Sequence, residues 1–293
     1  MKRQSFLEHV GWTGAGVAFA MTAGGTFAEA ATPTDFSFVQ ISDSHIGFKL
    51  PANPDVAATL SATVEKINAL PQQPSFVIHT GDVTHLARPD QFDAAKNILG
   101  KLKAPLMVIP GEHDAIGAEG AKHFAEAFPN PDAPEGWWSF DRNGVHFIAL
   151  VNVFNYETMG VLGQKQLDWL KNDLAAQKTD TPIVVFGHVP LYALYPAWGW
   201  TTSDGATAIA MLKRFSAVTV LNGHIHQVIT QREGNIAFAT AAATAYPQPA
   251  PGTAAAPGPL LVPAPELLGH LGYRNVTVTH GKTAVADRTL AGA

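Results

Sequence analysis

Seven residues able to bind a cation fall into five short blocks: Asp43-Ser44-His45, Gly81-Asp82, Gly111-Glu112-His113-Asp114, Gly187-His188 and Gly223-His224-Ile225-His226. The candidate ligands are Asp43, His45, Asp82, Glu112, His188, His224 and His226. With no cysteine in the chain, a cation here must sit on imidazole and oxygen, a donor set suited to Mn, Fe, Zn or Co in a reactive site rather than to a structural zinc. A carboxylate such as Asp82 has two oxygens and can bridge two cations about 3.5–4 Å apart, the separation used for metal-assisted hydrolysis. In Asp43-x-His45 and His224-x-His226 an extended backbone would point both side chains the same way. Glycine beside a ligand lets a turn approach the site closely.

Each block follows a short apolar run: Phe36–Ile41, Phe76–Ile78, Leu106–Ile109, Ile183–Phe186 and Val218–Leu221. Further strand-like runs are Val145–Val153, Ile236–Ala239 and Asn275–Thr279. Helices are expected over Asp55–Leu70, with Val56, Leu60, Val64 and Ile67 on one stripe, and over Gln164–Ala176, with Leu167, Leu170 and Leu174. Strands alternating with helices make the chain α/β. The carboxyl ends of strands in such sheets gather along one crevice, so residues far apart in sequence can converge there. The Pro/Ala/Gly-rich stretch Tyr246–Pro265 carries neither period and is expected as a long surface loop.

The composition excludes several classes. The chain has 293 residues, 46% hydrophobic and 15% charged, which is a globular balance. A net charge of -5 provides no field for phosphate backbones or acidic lipid, so no nucleic-acid partner is expected. Residues 1–30 pair a basic start (Lys2, Arg3) with an apolar run from Val10 to Met21 and a small-residue end at Ala28-Glu29-Ala30, the pattern of an export signal. The opening Lys2-Arg3-Gln4-Ser5-Phe6-Leu7 resembles a twin-arginine signal with Gln4 in the second arginine position. The expectation is cleavage near Ala30, a periplasmic product, no stable membrane partner after signal removal, and one domain over 31–293. Oligomeric state is left open.

The ordered set Asp-x-His, Gly-Asp, Gly-Asn-His-Asp, Gly-His, Gly-His-x-His is similar to that of the calcineurin-like metallophosphoesterases. Gly81-Asp82-Val83-Thr84, followed by Arg88-Pro89 and Phe92, most resembles the branch of cyclic-nucleotide and glycerophosphodiester phosphodiesterases. The resemblance implies a four-layer α/β/β/α sandwich of two mixed sheets flanked by helices. It also implies two metal ions, Fe and/or Mn with Zn or Co as alternatives. One would be held by Asp43, His45, Asp82 and His226, the other by Asp82, residue 112, His188 and His224. His113 would be the leaving-group acid, oriented by Asp114. Glu112 stands where the family has asparagine, so it either ligates with an extra negative charge or leaves the second site weak.

The implied activity is hydrolysis of a small phosphodiester. Phosphomonoester or nucleotide pyrophosphate hydrolysis is the alternative, and an inactive metal-binding relative is the reading from another class. Glu112 favours the inactive reading, while His113 and Asp114 oppose it. His85, three residues after Asp82, and the aromatic segment Tyr192–Trp200, in particular Trp198 and Trp200, are the candidate substrate contacts. His79 is expected to be structural and Trp137-Trp138 to pack. His9, His123, His146, His270 and His280 lie outside the blocks.

Overall fold

A computed structural model describes residues 35–117, 119–153 and 160–291; the expected export signal lies outside them. β1 (Phe36–Ile41) shows how the sequence builds the layers. Its side chains alternate faces: Phe36 and Phe38 enter an apolar cluster with Phe147, Phe186 and Leu221, while Val39 and Ile41 face another that holds Leu60 and Val64. A strand buried on both faces belongs in the middle of a sheet. β1 accordingly pairs in parallel with β2 (Val77–Thr80) and antiparallel with β10 (Gly272–Thr279). With β3 (Leu106–Ile109) and β11 (Lys282–Thr289) the order is β11-β10-β1-β2-β3.

The second sheet has the order β4-β5-β6-β7-β9-β8. Its strands are β4 (Trp138–Arg142), β5 (Val145–Ala149), β6 (Ile183–Gly187), β7 (Val218–Asn222), β8 (Thr230–Glu233) and β9 (Ile236–Thr240). The two sheets share the cluster around Phe38, Phe147 and Phe186. On the outer face of the first sheet lie α1 (Val56–Asn68), whose N-cap Asp55 accepts from the Ala58 N–H at 2.9 Å, and α2 (Pro89–Leu99), with proline at its first position. α4 (Gln164–Ala175) and α5 (Gly205–Leu212) cover the second sheet. The result is the expected four-layer sandwich of two mixed sheets. α3 (Gly120–Ala127) packs beside α2 through Phe124 and Phe92, and α6 (Leu267–His270) precedes β10. Among the described residues no helix is long and apolar enough to cross a membrane.

The run Val145–Val153 leaves the ladder at Ala149 rather than continuing to Val153. Beyond it the Gln166 side chain satisfies both the N–H and the carbonyl of Val151, replacing a neighbouring strand. The Pro-rich stretch is a surface loop over most of its length, but it begins inside, with Tyr246 buried.

Candidate metal centre

All five blocks leave the carboxyl ends of β1, β2, β3, β6 and β7, where the parallel strands of the two sheets come together. The turns are tighter than an extended spacing allows. Asp43, His45, Asp82, His224 and His226 all have positive φ, between 42° and 71°. The ligand pairs are thus aimed by left-handed turns, and the extended geometry expected from the one-residue spacing is not what the chain adopts. Each such residue costs of order 1–3 kcal/mol and persists only where its surroundings over-determine it. Here the blocks hold one another: Asp43 N–H donates to the Gly81 carbonyl at 3.0 Å, His45 N–H to the Asp82 carbonyl at 2.9 Å, and His224 N–H to the Asp43 carboxylate at 3.1 Å. A Cβ at Gly111 would overlap the Asp82 carboxylate and backbone, and one at Gly81 would overlap the His188 ring. These two positions therefore require glycine.

The side chains form two groups that share Asp82. In the first, His226 Nε2 lies 3.5 Å from Asp43 Oδ1 and 3.1 Å from His45 Nε2. In the second, Glu112 sends Oε2 to His188 Nε2 at 2.8 Å and Oε1 to His224 Nδ1 at 2.7 Å. Asp82 Oδ2 sits between them, 3.5 Å from His45 Nε2 and 3.4 Å from His188 Nε2. A single oxygen faces both groups, because Oδ1 accepts the His113 backbone N–H at 2.8 Å. The candidate ligand atoms fall into clusters within 4.8 Å of one another: Asp43-His45-His226, Glu112-His188-His224 and Asp43-Asp82-His188.

Two features show that this set suits cations. Glu112 Oε2, His188 Nε2 and both ring nitrogens of His224 are buried, and despite the short separations their angles make no hydrogen bond. Such orphaned groups cost about 1–3 kcal/mol each unless something else satisfies them, and a divalent ion would satisfy one nitrogen of each imidazole together with the Glu112 oxygen. The outer ring nitrogens are also fixed. His188 Nδ1 donates to the Thr80 carbonyl at 2.7 Å and His226 Nδ1 to the Tyr246 carbonyl at 2.6 Å, which turns each Nε2 inward. His45 differs, its Nδ1 lying 3.3 Å from His85 Nδ1.

The electrostatics separate the two groups. Burial, with His113, His226 and His85 nearby, holds His45 well below the usual imidazole range, and burial takes His226 down to about 3. Both candidate ligands are neutral at neutral pH. Burial also pushes the Asp43 carboxyl up to about 7. At His188, burial is outweighed by the Asp82 and Glu112 carboxylates, which raise it well above the ordinary value; at Glu112 the neighbouring His224 and His188 rings overcome burial and hold it well below. Positive charge is therefore favoured beside Glu112, where the family's asparagine would be neutral.

His113 reaches the site with Nδ1 on the His85 carbonyl at 2.8 Å, and the Asp82 and Glu112 carboxylates raise its pKa against burial. The Asp114 carboxylate, expected to orient that ring, instead accepts from the N–H groups of Val83, Thr84 and Gly111 and from the Thr84 hydroxyl, 2.8 to 3.1 Å away. It fastens the second block to the third. His85 is half-buried and stacks on His113 with centroids 4.9 Å apart. Trp198 is half-buried, but Trp200 is only 1% exposed and packs edge-to-face on Trp198. An indole so enclosed offers no face to a dissolved ester, so Trp200 is a packing residue. His79 is buried against the Ser44 hydroxyl at 2.7 Å.

Spacing alone did not reveal the roles of the Thr80, His85 and Tyr246 carbonyls or of the Tyr246 ring, which lies on His45 and His226. A tyrosine opening a loop just beyond a strand end was the available signal.

Comparison with known proteins places this arrangement. A glycerophosphodiester phosphodiesterase of Enterobacter lignolyticus is 28% identical over 217 residues, covering 71% of this chain and 77% of that protein. A 3',5'-cyclic-nucleotide phosphodiesterase of Nostoc is 24% identical, covering 72% and 79%. Among solved structures, a dimetal phosphatase of Danio rerio shares the fold with a TM-score of 0.64 at 13% identity, over 87% of this chain and 96% of that one. The family described as calcineurin-like phosphoesterase matches residues 36–228, from β1 to just past the last candidate ligand, and the chain belongs to this family of phosphoester hydrolases with dinuclear metal centres.

Proposed function

We propose that this enzyme hydrolyses small phosphodiesters, with one cation held by Asp43, His45, Asp82 and His226 and the other by Asp82, Glu112, His188 and His224. The observation that carries the reading is the position of Asp82 Oδ2 between His45 and His188, with three-ligand clusters on either side. When bound, the ions supply Lewis acidity toward the phosphoryl oxygens and activate water for in-line attack. The chain's own contribution is His113, whose Nδ1 is committed to the His85 carbonyl, so that Nε2 can deliver a proton to the departing alkoxide.

Charge supports a diester over a monoester. Among the described residues no Lys or Arg pairs with any of the seven candidate ligands, and Arg88, the cation nearest in sequence to Asp82, is exposed and paired with Asp90 at 2.8 Å. Three carboxylates and no guanidinium suit a monoanion better than a dianion. The similarity to a glycerophosphodiester phosphodiesterase and to a cyclic-nucleotide phosphodiesterase points the same way. Mn or Fe best matches the anionic Glu112.

The test pairs metal analysis with hydrolysis of bis(p-nitrophenyl) phosphate and p-nitrophenyl phosphate. Two ions per chain and a kcat/KM at least tenfold higher for the diester are expected. A preference for the monoester overturns the diester reading, and inertness toward both in fully loaded protein supports an inactive relative. We also propose export to the periplasm, which amino-terminal sequencing of the mature protein would check through a start near Ala31.

A further inference from the structure

Resting on the dinuclear reading above, we propose that Tyr246 is a positioning residue for one metal site only, holding His45 and His226 in the orientation in which their Nε2 atoms converge. Tyr246 lies 20 residues beyond His226 and 201 beyond His45, yet it is buried against both. Its ring stacks on His45 with centroids 4.9 Å apart at 29° and lies 4.6 Å from the His226 ring, while Phe48 backs it at 4.3 Å. Both imidazoles meet the one phenol ring, His45 stacked on it and His226 tilted to it by 40°.

The backbone leading to Tyr246 is fastened to the first ligand block. Thr244 N–H donates to the Ser42 carbonyl at 3.0 Å and Ala245 N–H to the Asp43 carbonyl at 3.1 Å. The Thr244 hydroxyl reaches the Ser44 hydroxyl at 2.9 Å, and the Asn53 amide donates to the Ala245 carbonyl at 2.6 Å. The next carbonyl, that of Tyr246, takes the Nδ1 proton of His226. The strap therefore delivers the ring to a fixed height beside Asp43 and sets the His226 tautomer with the same residue.

Positioning is needed because the two Nε2 atoms are 3.1 Å apart. A cation taken by both rings needs both nitrogens unprotonated and aimed at it, and without the ion each ring can turn about its own side-chain torsions. A rigid ring in contact with both imidazoles opposes that turning, whereas an aliphatic chain of similar volume would fill the space without fixing the planes. The second group is held differently: His188 and His224 meet edge-to-face at 5.3 Å and are tied together through Glu112. Loss of the Tyr246 ring should therefore be felt on one side of Asp82 and not on the other.

The experiment titrates metal-free full-length protein with Co(II), reading stoichiometry by elemental analysis and coordination by the visible d–d spectrum. Wild type should take two ions per chain, and Tyr246→Phe should match it in affinity and spectrum. Tyr246→Ala should keep one ion at wild-type affinity and bind the other about 10–100-fold more weakly, the range typical for groups that orient ligands. Tyr246→Leu should behave as the alanine variant does and replaces it if the alanine variant does not fold. The proposal is overturned if both truncations bind two ions as wild type does, if they weaken both ions equally, or if Tyr246→Phe loses an ion. Wild-type protein that binds no Co(II) overturns the dinuclear reading itself, a result separate from any difference among the variants.

Discussion

Oδ1 of Asp82 accepts the backbone N–H of His113 at 2.8 Å, so the carboxylate placed between the two ligand groups also holds the loop that carries the proposed leaving-group acid. The metal binding and proton delivery proposed above would thereby be joined through one side chain. Any change in the position of Asp82 will move both.

Asp82→Asn isolates the charge from the geometry. Asparagine tolerates the left-handed φ of 54° at this position and can still accept from His113. It removes the anionic oxygen facing His45 and His188, so metal content should fall below one ion per chain and turnover by more than about 100-fold. Elemental analysis and a diester assay check this. Two retained ions with full activity would show that Asp82 is not the bridge.

Glu112 is the residue that departs from the family pattern, and its carboxylate joins His188 to His224 at 2.8 and 2.7 Å. Glu112→Gln keeps length and loses charge, whereas Glu112→Asn restores the family residue. Both should weaken retention of the ion on this side and shift preference from Mn or Fe toward Zn. Because added ligand charge offsets the field of a cation, both should also move the acidic limb of the pH–rate profile to lower pH. Unchanged retention and an unmoved limb would make Glu112 a spectator.

His113→Ala should keep both metals and slow esters with alkoxide leaving groups by about 10²–10⁴-fold, with far less effect on p-nitrophenyl esters. The physical reason is that a basic alkoxide needs a proton to depart and p-nitrophenolate does not. A parallel loss for both substrate classes would assign the ring a positioning role only.

The gathering of the candidate donors was legible because they sit one to four residues past strands whose apolar runs announce themselves, and parallel strands bring their carboxyl ends together. Elements without such a contrast were not legible. α5 (Gly-Ala-Thr-Ala-Ile-Ala-Met-Leu) is apolar or small nearly all round, so it shows no stripe, and β8 and most of β11 are solvent-facing edge strands lacking a buried alternate face. α2 did carry a signal in Arg88-Pro89, a proline at the first helical position. The left-handed turns at Asp43 and His224 could not be read from spacing, because a one-residue gap is compatible with extended and turned backbone alike. Tyr246 was hidden for another reason: its partners are distant in sequence, and an aromatic at the mouth of a Pro-rich loop fits many roles.

The aromatic pair in the segment after His188 should divide under mutation. Trp198 is half-buried and can still meet the organic group of an ester, so Trp198→Ala should raise KM for a large diester several-fold and spare a minimal one. Trp200 is enclosed, so Trp200→Ala should instead cost about 3–5 kcal/mol of stability as a cavity in the core. Thermal unfolding with steady-state kinetics on the same preparations checks both. An unchanged melting temperature for Trp200→Ala would reverse the assignment.

His146 gives a pH dependence of stability that is independent of the metals. On β5 it is buried between Asp141 on β4 and Asp173 on α4, each 2.8 Å from a ring nitrogen. Burial lowers its pKa, but hydrogen bonds to Asp173 and then Asp141 raise it above the ordinary 6.5. The folded state therefore binds this proton more tightly than the unfolded state. Its contribution is fully present below about pH 6.5 and is lost as pH rises through the elevated folded value. Wild type should accordingly exceed His146→Gln in melting temperature by several degrees at pH 6, with the gap closing by pH 9; comparison at one metal concentration cancels the ligand cluster. Asp173→Asn should remove most of the effect and Asp141→Asn little, because the Asp173 side chain is 15% exposed and that of Asp141 is 69% exposed and screened by solvent. A gap that stays constant from pH 6 to 9 would mean that His146 is neutral in the folded protein and contributes by packing alone.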